Sequence, residues 1–281
     1  MSRVPLKKVA TDIGSDAAWR TERRTWHDLL GTIIRSGERV SPLFQVPFAS
    51  LSMLKLDWLH AADLGVSADF IGSMLWYICE KKKIRGNTQK ARMHALWLDL
   101  DRWYDANKVG TDRLPALTKL TVKSKKGKGA PKLRCGAGMC RCLVPWAYDV
   151  AKRHLNGRHA AESAMISAME SLWRCYGALD SQVATFQKEL LQTHSTRFAL
   201  QVAALERILG KRRFRVKPKL HQFLELCHSG GDPAKHWNYR DEDFGGSVAA
   251  FGRRRGGKKS LWSFSSATLG KFRMQPMVRI A

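Results

Sequence analysis

The sequence predicts a mainly α protein, a helical bundle-like array with at most a short strand element near residues 43–59. Two observations carry this. Apolar residues recur at spacings of three, four and seven in one segment after another, which is the period of a helix face. With 44% hydrophobic residues and ten Trp among 281 residues, the chain can also bury those faces in a core. No internal repeat is visible. Composition shifts suggest an N-terminal helical segment (1–44), an acidic-block and helical region (45–118), a basic loop (119–134), a run of helices (135–210) and a basic C-terminal region (211–281).

The first helix rests on Trp19, Trp26, Leu29, Leu30, Ile33 and Ile34, with Ser15 or Asp16 as its cap and Gly37 just past its end. Pro42 and Pro47 mark a loop. The stretch Phe48 to Leu59 reads as a short buried strand, although an apolar run of this length also suits a helix. From Asp63 the pattern is helical and apolar nearly all round, so the helix should be buried, ending at Lys81, Lys82, Lys83 and Arg85 and closed by Gly86. Met93, Leu96, Trp97, Leu100, Trp103 and Tyr104 give the most regular helix face in the chain. Between Lys119 and Arg134 lie seven Lys or Arg and no acid, which predicts an exposed basic loop. Helical patterns then cover 139–155, 160–178, 180–193 and 195–209. A short helix with Leu220, Phe223, Leu224 and Cys227 follows, then a turn at Gly230-Gly231-Asp232-Pro233, an acidic helix start at Asp241-Glu242-Asp243 and a last helix from about Ser265.

Lys and Arg number 49 against 24 Asp and Glu, a net charge of +25, which argues for a polyanionic partner. DNA leads, with RNA as a second candidate, because neutralising phosphates releases counterions and gives salt-sensitive, sequence-tolerant binding. The positive groups concentrate at Lys81, Lys82 and Lys83, at Lys125, Lys126 and Lys128, and at Arg253, Arg254, Arg255, Lys258 and Lys259. Trp237, Tyr239 and Trp262 lie near the last group and could stack on unpaired bases or belong to the core. An ordinary solvated surface, attraction to a membrane surface and an adaptor for an acidic protein are the other readings of the charge. The apolar runs fall short of the roughly 20 residues of a membrane span, and Met1 to Lys8 has no apolar stretch behind it, so neither membrane nor secretion is expected. Six cysteines in a chain this long read as free thiols, which places the protein in the nucleus or cytoplasm.

No P-loop, G-x-S-x-G or G-x-G-x-x-G motif is present. Asp57 and Asp63 stand at a strand end and a helix start, where carboxylates can share Mg2+ or Mn2+. Alternatively, Asp63 caps the helix and Asp57 is a satisfied turn residue. His221, Glu225 and His228 share one helix, but the two histidines sit about 10.5 Å apart along its axis and cannot hold one ion. Ordinary hydrogen bonds are the plainer expectation there, as helix capping is for Glu242 and its acidic neighbours. Cys135, Cys140 and Cys142, with His154 or His159, would make an irregularly spaced zinc site.

Two blocks carry a family resemblance. Leu56-Asp57-Trp58-Leu59-His60-Ala61-Ala62-Asp63-Leu64-Gly65-Val66 resembles the D-x-M-H-x-x-D-x-G-V block of transposase-like proteins related to plant-type CACTA and similar cut-and-paste elements. Lys217-Pro218-Lys219-Leu220-His221-Gln222-Phe223-Leu224-Glu225-Leu226 is similar to their downstream K-P-K-x-H-x-x-x-H segment, with Glu225 where the pattern has its second histidine. Tyr239 to Gly246 resembles the acidic block that follows in protist transposon-derived sequences. The resemblance implies an RNase H-like remnant with a long helical insertion, derived from the C-terminal part of a transposase. It implies Asp57 as the second acidic ligand, Asp63 as its competitor and Glu225 or Glu242 as the late acid, together holding Mg2+ or Mn2+ for strand transfer or cleavage. The first acid has no counterpart, since Asp12 and Asp28 sit in helical or loop context. The rival expectation is a non-enzymatic helical protein that binds nucleic acid through basic loops. Charge reversal at Lys125, Lys126 and Lys128 is expected to flatten the salt dependence of DNA binding, measured as log K against log salt.

Overall fold

The structure is a computed structural model that describes residues 13, 26–37, 39–40, 56–122, 129–179, 181, 185–239, 246–247 and 249–250. Of these, 66% are helical, and the sole β feature among them is a single antiparallel bridge between Val122 and Leu133. The chain divides into two compact units, Met1–Trp237 and Asn238–Ala281. In the first unit the helices are α1 (Trp26–Arg35), α2 (Ala68–Glu80), α3 (Gln89–Ala106), α4 (Ala137–His154), α5 (Ala160–Gly177), α6 (Lys188–Leu209) and α7 (Pro218–His228). A π-helical segment, Leu59–Ser67, leads directly into α2, and a short 3-10 turn, Pro233–Lys235, follows α7.

One hydrophobic core runs from Trp58 to Cys227. The α5–α6 pair is a hairpin closed by the Gln187 N–H donating to the Ala178 carbonyl at 2.8 Å, with Arg197 Nε reaching Ser167 Oγ further along. Helix α7 returns along α6. His228 Nε2 and Thr196 Oγ1 are 3.1 Å apart near one end, and Val202 and Leu220 line the same cleft near the other. Aromatic contacts tie these layers to the π segment: Trp58 lies 5.3 Å from Tyr176 and 5.7 Å from Phe223, and Phe198 meets both Phe223 and Phe70. Between α3 and α4, Asp99 accepts from Trp146 Nε1 and from both terminal nitrogens of Arg153. The hydrogen bonds from Arg153, ahead of those from Trp146, hold its carboxyl below the usual range against the effect of burial.

Several expectations need correction. The helix expected from Asp63 begins earlier. The Asp57 carbonyl accepts from Ala61 N, and the Asp57 carboxylate accepts from Leu59 N (3.2 Å) and His60 N (3.1 Å), so the cap is Asp57 and not Asp63. The proposed strand near 43–59 therefore gives way to helix over Trp58 and Leu59, while residues 41–55 lie outside the described residues. Helix α2 is buried, as its all-round apolar pattern requires, but Lys82 closes it rather than Gly86. Lys82 adopts φ 55°, with Lys83 N donating to Ile78 O and Lys82 N to Cys79 O, a Schellman closure; Lys108 (φ 52°) ends α3 the same way. The pattern over 195–209 and the end of that over 180–193 merge into the single helix α6, which begins only at Lys188, since residues 185–187 are not helical.

The basic loop is anchored at its base. Val122 and Leu133 are buried, Arg134 N donates to Thr121 O, and residues 131–133 cross α2. Leu133 N donates to Ala68 O at 2.9 Å and Ser73 Oγ to Pro131 O at 2.9 Å. Gly72 permits the crossing, because a Cβ there would stand 2.2 Å from Leu133 N. Lys125, Lys126 and Lys128 lie outside the described residues, as do Glu242, Arg253, Arg254, Arg255, Lys258, Lys259 and the expected helix from Ser265. Among the described residues no helix is long and apolar enough to cross a membrane.

The crossing backbone cannot yield to a methyl group. Gly72→Ala is expected to lower unfolding free energy by about 3 kcal/mol in urea titration. Gly177→Ala, where an added Cβ meets nothing within 4 Å, should change it by less than about 1 kcal/mol.

Candidate nucleic-acid interface

The two blocks singled out by sequence lie against each other, although roughly 150 residues separate them. Trp58 packs on Phe223, and Lys219 Nζ donates to the His60 carbonyl at 2.9 Å. Gly65 makes room for that lysine. It departs from helical geometry (φ −96°, ψ −105°), and a Cβ there would stand 2.8 Å from the His60 oxygen and 3.2 Å from Lys219 Cδ. The segment is thus two helical stretches joined across a kink at Gly65.

Three lysines gather at this junction. Lys217 Nζ lies 2.8 Å and Lys132 Nζ 3.7 Å from Asp69 Oδ1, while Lys132 also donates to the Leu64 carbonyl. Lys132 and Lys217 each keep about a third of the side chain in water. Burial, then the charge of Lys132 and that of Lys217, pulls the Lys219 ammonium below its usual pKa, while Asp69 and Asp57 act in the opposite sense. A cation whose charged form is disfavoured by neighbouring cations gains when an anion arrives. Beside the cluster lies a small cleft walled by Val66, Phe70, Phe198 and Phe214 and edged by Arg215 and Lys217.

Beneath the lysines the π segment holds one closed polar contact in apolar surroundings. Asp63 is fully buried, and Tyr176 donates its hydroxyl to Asp63 Oδ1 at 2.5 Å while sharing a 2.8 Å hydrogen bond with Ser67. Burial, followed by the Asp63 charge, pushes the Tyr176 hydroxyl far above its ordinary pKa, so it stays protonated as a donor. Cys140 is buried nearby; its hydrogen bond to Cys135 and its burial raise its pKa, and the same hydrogen bond, helped by Lys132, lowers that of Cys135.

The implied Mg2+ or Mn2+ site does not fit this donor set. Asp57 uses its oxygens on two backbone N–H groups and on His60 Nδ1 at 2.5 Å, and Asp63 is sealed under Tyr176. Glu225 lies on α7 with 54% of its side chain exposed, 3.6 Å from His221 Nε2. Among the described residues no group of three His, Cys, Asp or Glu side chains could hold an ion. The zinc alternative has the same difficulty, since His154 is about 20 Å along α4 from Cys140 by helix rise and its Nδ1 sits on the Lys83 carbonyl.

The basic cluster after α2 is only partly available to a ligand. Lys81 and Lys82 are exposed, but Lys83 Nζ pairs with buried Glu162 Oε1 at 2.9 Å. Arg92, further along the same basic stretch, is buried and donates to the Cys79 and Gly86 carbonyls. Of the proposed stacking residues, Trp237 lies under the Arg141 guanidinium at 4.3 Å, and Trp262 is outside the described residues. The sequence alone shows Lys132 as one charge in a basic loop and Lys217 and Lys219 as the start of the second block, with nothing to pair them. The signal that pairs them is the glycine of the first block, whose need is visible only once α7 lies over it.

Compared with known proteins, the chain matches no family model, no curated protein and no solved structure.

Burial pushes the Glu162 carboxyl up, but hydrogen bonds from Lys83, the Asn156 N–H and Tyr77 outweigh it and hold its pKa below the usual value. A depressed folded pKa contributes stability above the unfolded carboxyl pKa, about 4.3, and that contribution disappears as pH falls through the folded value. Glu162→Gln is expected to cost about 2 kcal/mol at pH 7, less than for a fully buried pair because Lys83 is 29% exposed. Urea titrations at descending pH should show the gap between the two proteins closing in acid.

Proposed function

We propose that this chain is a transposase-derived DNA-binding protein whose phosphate-contacting centre is the lysine cluster at the junction of the π segment and α7. The observation that carries the reading is the packing of the Asp57–Val66 block on the Lys217–Leu226 block, which assembles Lys132, Lys217 and Lys219 from separate parts of the chain. The net charge of +25 supports it, since a surplus of that size raises the local concentration of any polyanion. On this reading residues 64–210 are a helical insertion between the two blocks of an RNase H-like remnant. A DNA partner also implies a nuclear location, and RNA would satisfy the same phosphate chemistry.

The lysines would hold the backbone of a strand while Asp69, between Lys132 and Lys217, keeps their ammonium groups in place in its absence. Binding of this kind fixes position and carries little sequence preference. A strand-cutting role needs Asp57 freed from its cap, and it is tested alongside.

In electrophoretic or anisotropy titrations, the double variant Lys217→Gln, Lys219→Gln should lower the slope of log K against log salt by about 2, with equal loss across DNA sequences. An unchanged slope would remove the cluster from the interface. Incubation with Mg2+ or Mn2+ and nicked DNA, beside Asp57→Ala, reads the enzymatic alternative: cleavage abolished by the substitution would establish it.

A further inference from the structure

Helix α4 carries Arg141, Pro145, Tyr148 and Lys152 at i, i+4, i+7 and i+11, one stripe of its surface about 16 Å long by helix rise. Neighbouring segments add rings to it. Trp173 of α5 stacks on Tyr148 with ring centroids 5.3 Å apart and planes inclined by 22°. Trp237 lies beneath Arg141 at 4.3 Å. Cations flank the central pair: Lys152 Nζ sits 4.4 Å over the Tyr148 ring, and Arg174 Cζ is 5.8 Å from the Trp173 ring.

Two features separate this stripe from core packing. Trp173 is 39% exposed, whereas Trp58 and Trp146 are fully buried, so its indole is held at the surface by a stacked partner and not by enclosure. The cations also have loose attachments. Lys152 pairs with Asp149 (3.0 Å) and Arg174 with Glu170 (3.1 Å), both ion pairs with substantial exposure. Surface pairs of this type are worth about 1 kcal/mol or less, so a phosphate can take either cation at small cost. Pro145 adds an exposed, rigid apolar step between the two aromatic positions.

Cations alternating with exposed π faces are what a single polynucleotide strand requires: bases stack on rings while phosphates meet the charges, and every base has a face to offer. We propose that the α4 stripe binds unpaired nucleotides, with a base stacked on Trp173 and the adjoining phosphates on Lys152, Arg174 and Arg141. This rests on the reading that the chain binds polynucleotides, and it adds a preference for single strands at residues outside the lysine cluster.

The test uses the full chain with dT and U oligomers of about 15 nucleotides and a duplex of equal length at one low salt concentration. Trp173→Ala should weaken binding to the single strands about 10-fold and leave duplex binding within about 2-fold, and Trp173→Phe should recover most of the loss. A loss with dT alone or U alone assigns the surface to DNA or to RNA. Melting curves check that each variant is folded. Unchanged single-strand binding, or an equal loss on the duplex, overturns the stripe as a stacking surface. A wild-type chain that binds none of the three instead overturns the broader reading.

Discussion

A carboxylate inside a hydrophobic core is tolerable only where a donor meets it, and Asp63 sets this condition for the whole molecule. Its neighbours on the π segment and α2 are apolar and buried, so an unanswered charge there would cost several kcal/mol. Tyr176, from the far end of α5, supplies the hydroxyl. That one bond fixes where α5 lies on the π segment, and the edge contact between Trp58 and Tyr176 places the indole in the same register. Phe223 then closes over Trp58, which seats α7. The first residue block, the α5–α6 hairpin and the second block are thus linked through a buried acid and three aromatic rings.

With α7 seated, the electrostatics follow. Lys219 can cross the π segment only because residue 65 has no side chain, and its ammonium is then held near Lys132 and Lys217. A single carboxylate, Asp69, lies between two of the three. Burial and the two neighbouring cations thus disfavour the charged form of Lys219, an effect that no count of charges along the chain would show. By contrast, Lys83 and Arg92 show how little a count of basic residues reveals. Both belong to a cationic run in the sequence, and both are committed to internal partners that close α2 and anchor α5.

Much of the secondary structure was legible because it is written locally. The apolar stripe of α3, the all-round apolarity of α2 and the Lys217-Pro218 start of α7 each needed only a window of neighbouring residues. The misses had equally physical causes. Lys82 and Lys108 take left-handed conformations that glycine usually fills, so no composition signal marked the ends of α2 and α3. The kink at Gly65 breaks the helical period after Trp58, and the apolar run leading into it was open to strand or helix. The surface stripe on α4 was half visible, since Arg141, Tyr148 and Lys152 share a face by spacing. Its decisive member, Trp173, comes from another helix.

The sequence by itself determined the mainly helical class, the positive charge and the two blocks of related residues, because periodicity, composition and motif are properties of neighbours along the chain. Tertiary structure decided which of those residues meet. It turned Asp63 into a buried strut, Asp57 into a helix cap and Glu225 into a solvent-facing partner of His221, and it drew Lys132 to Lys217 and Lys219. The reason is that burial and charge coupling depend on distances through space, and those distances are set by helix packing between residues more than a hundred positions apart.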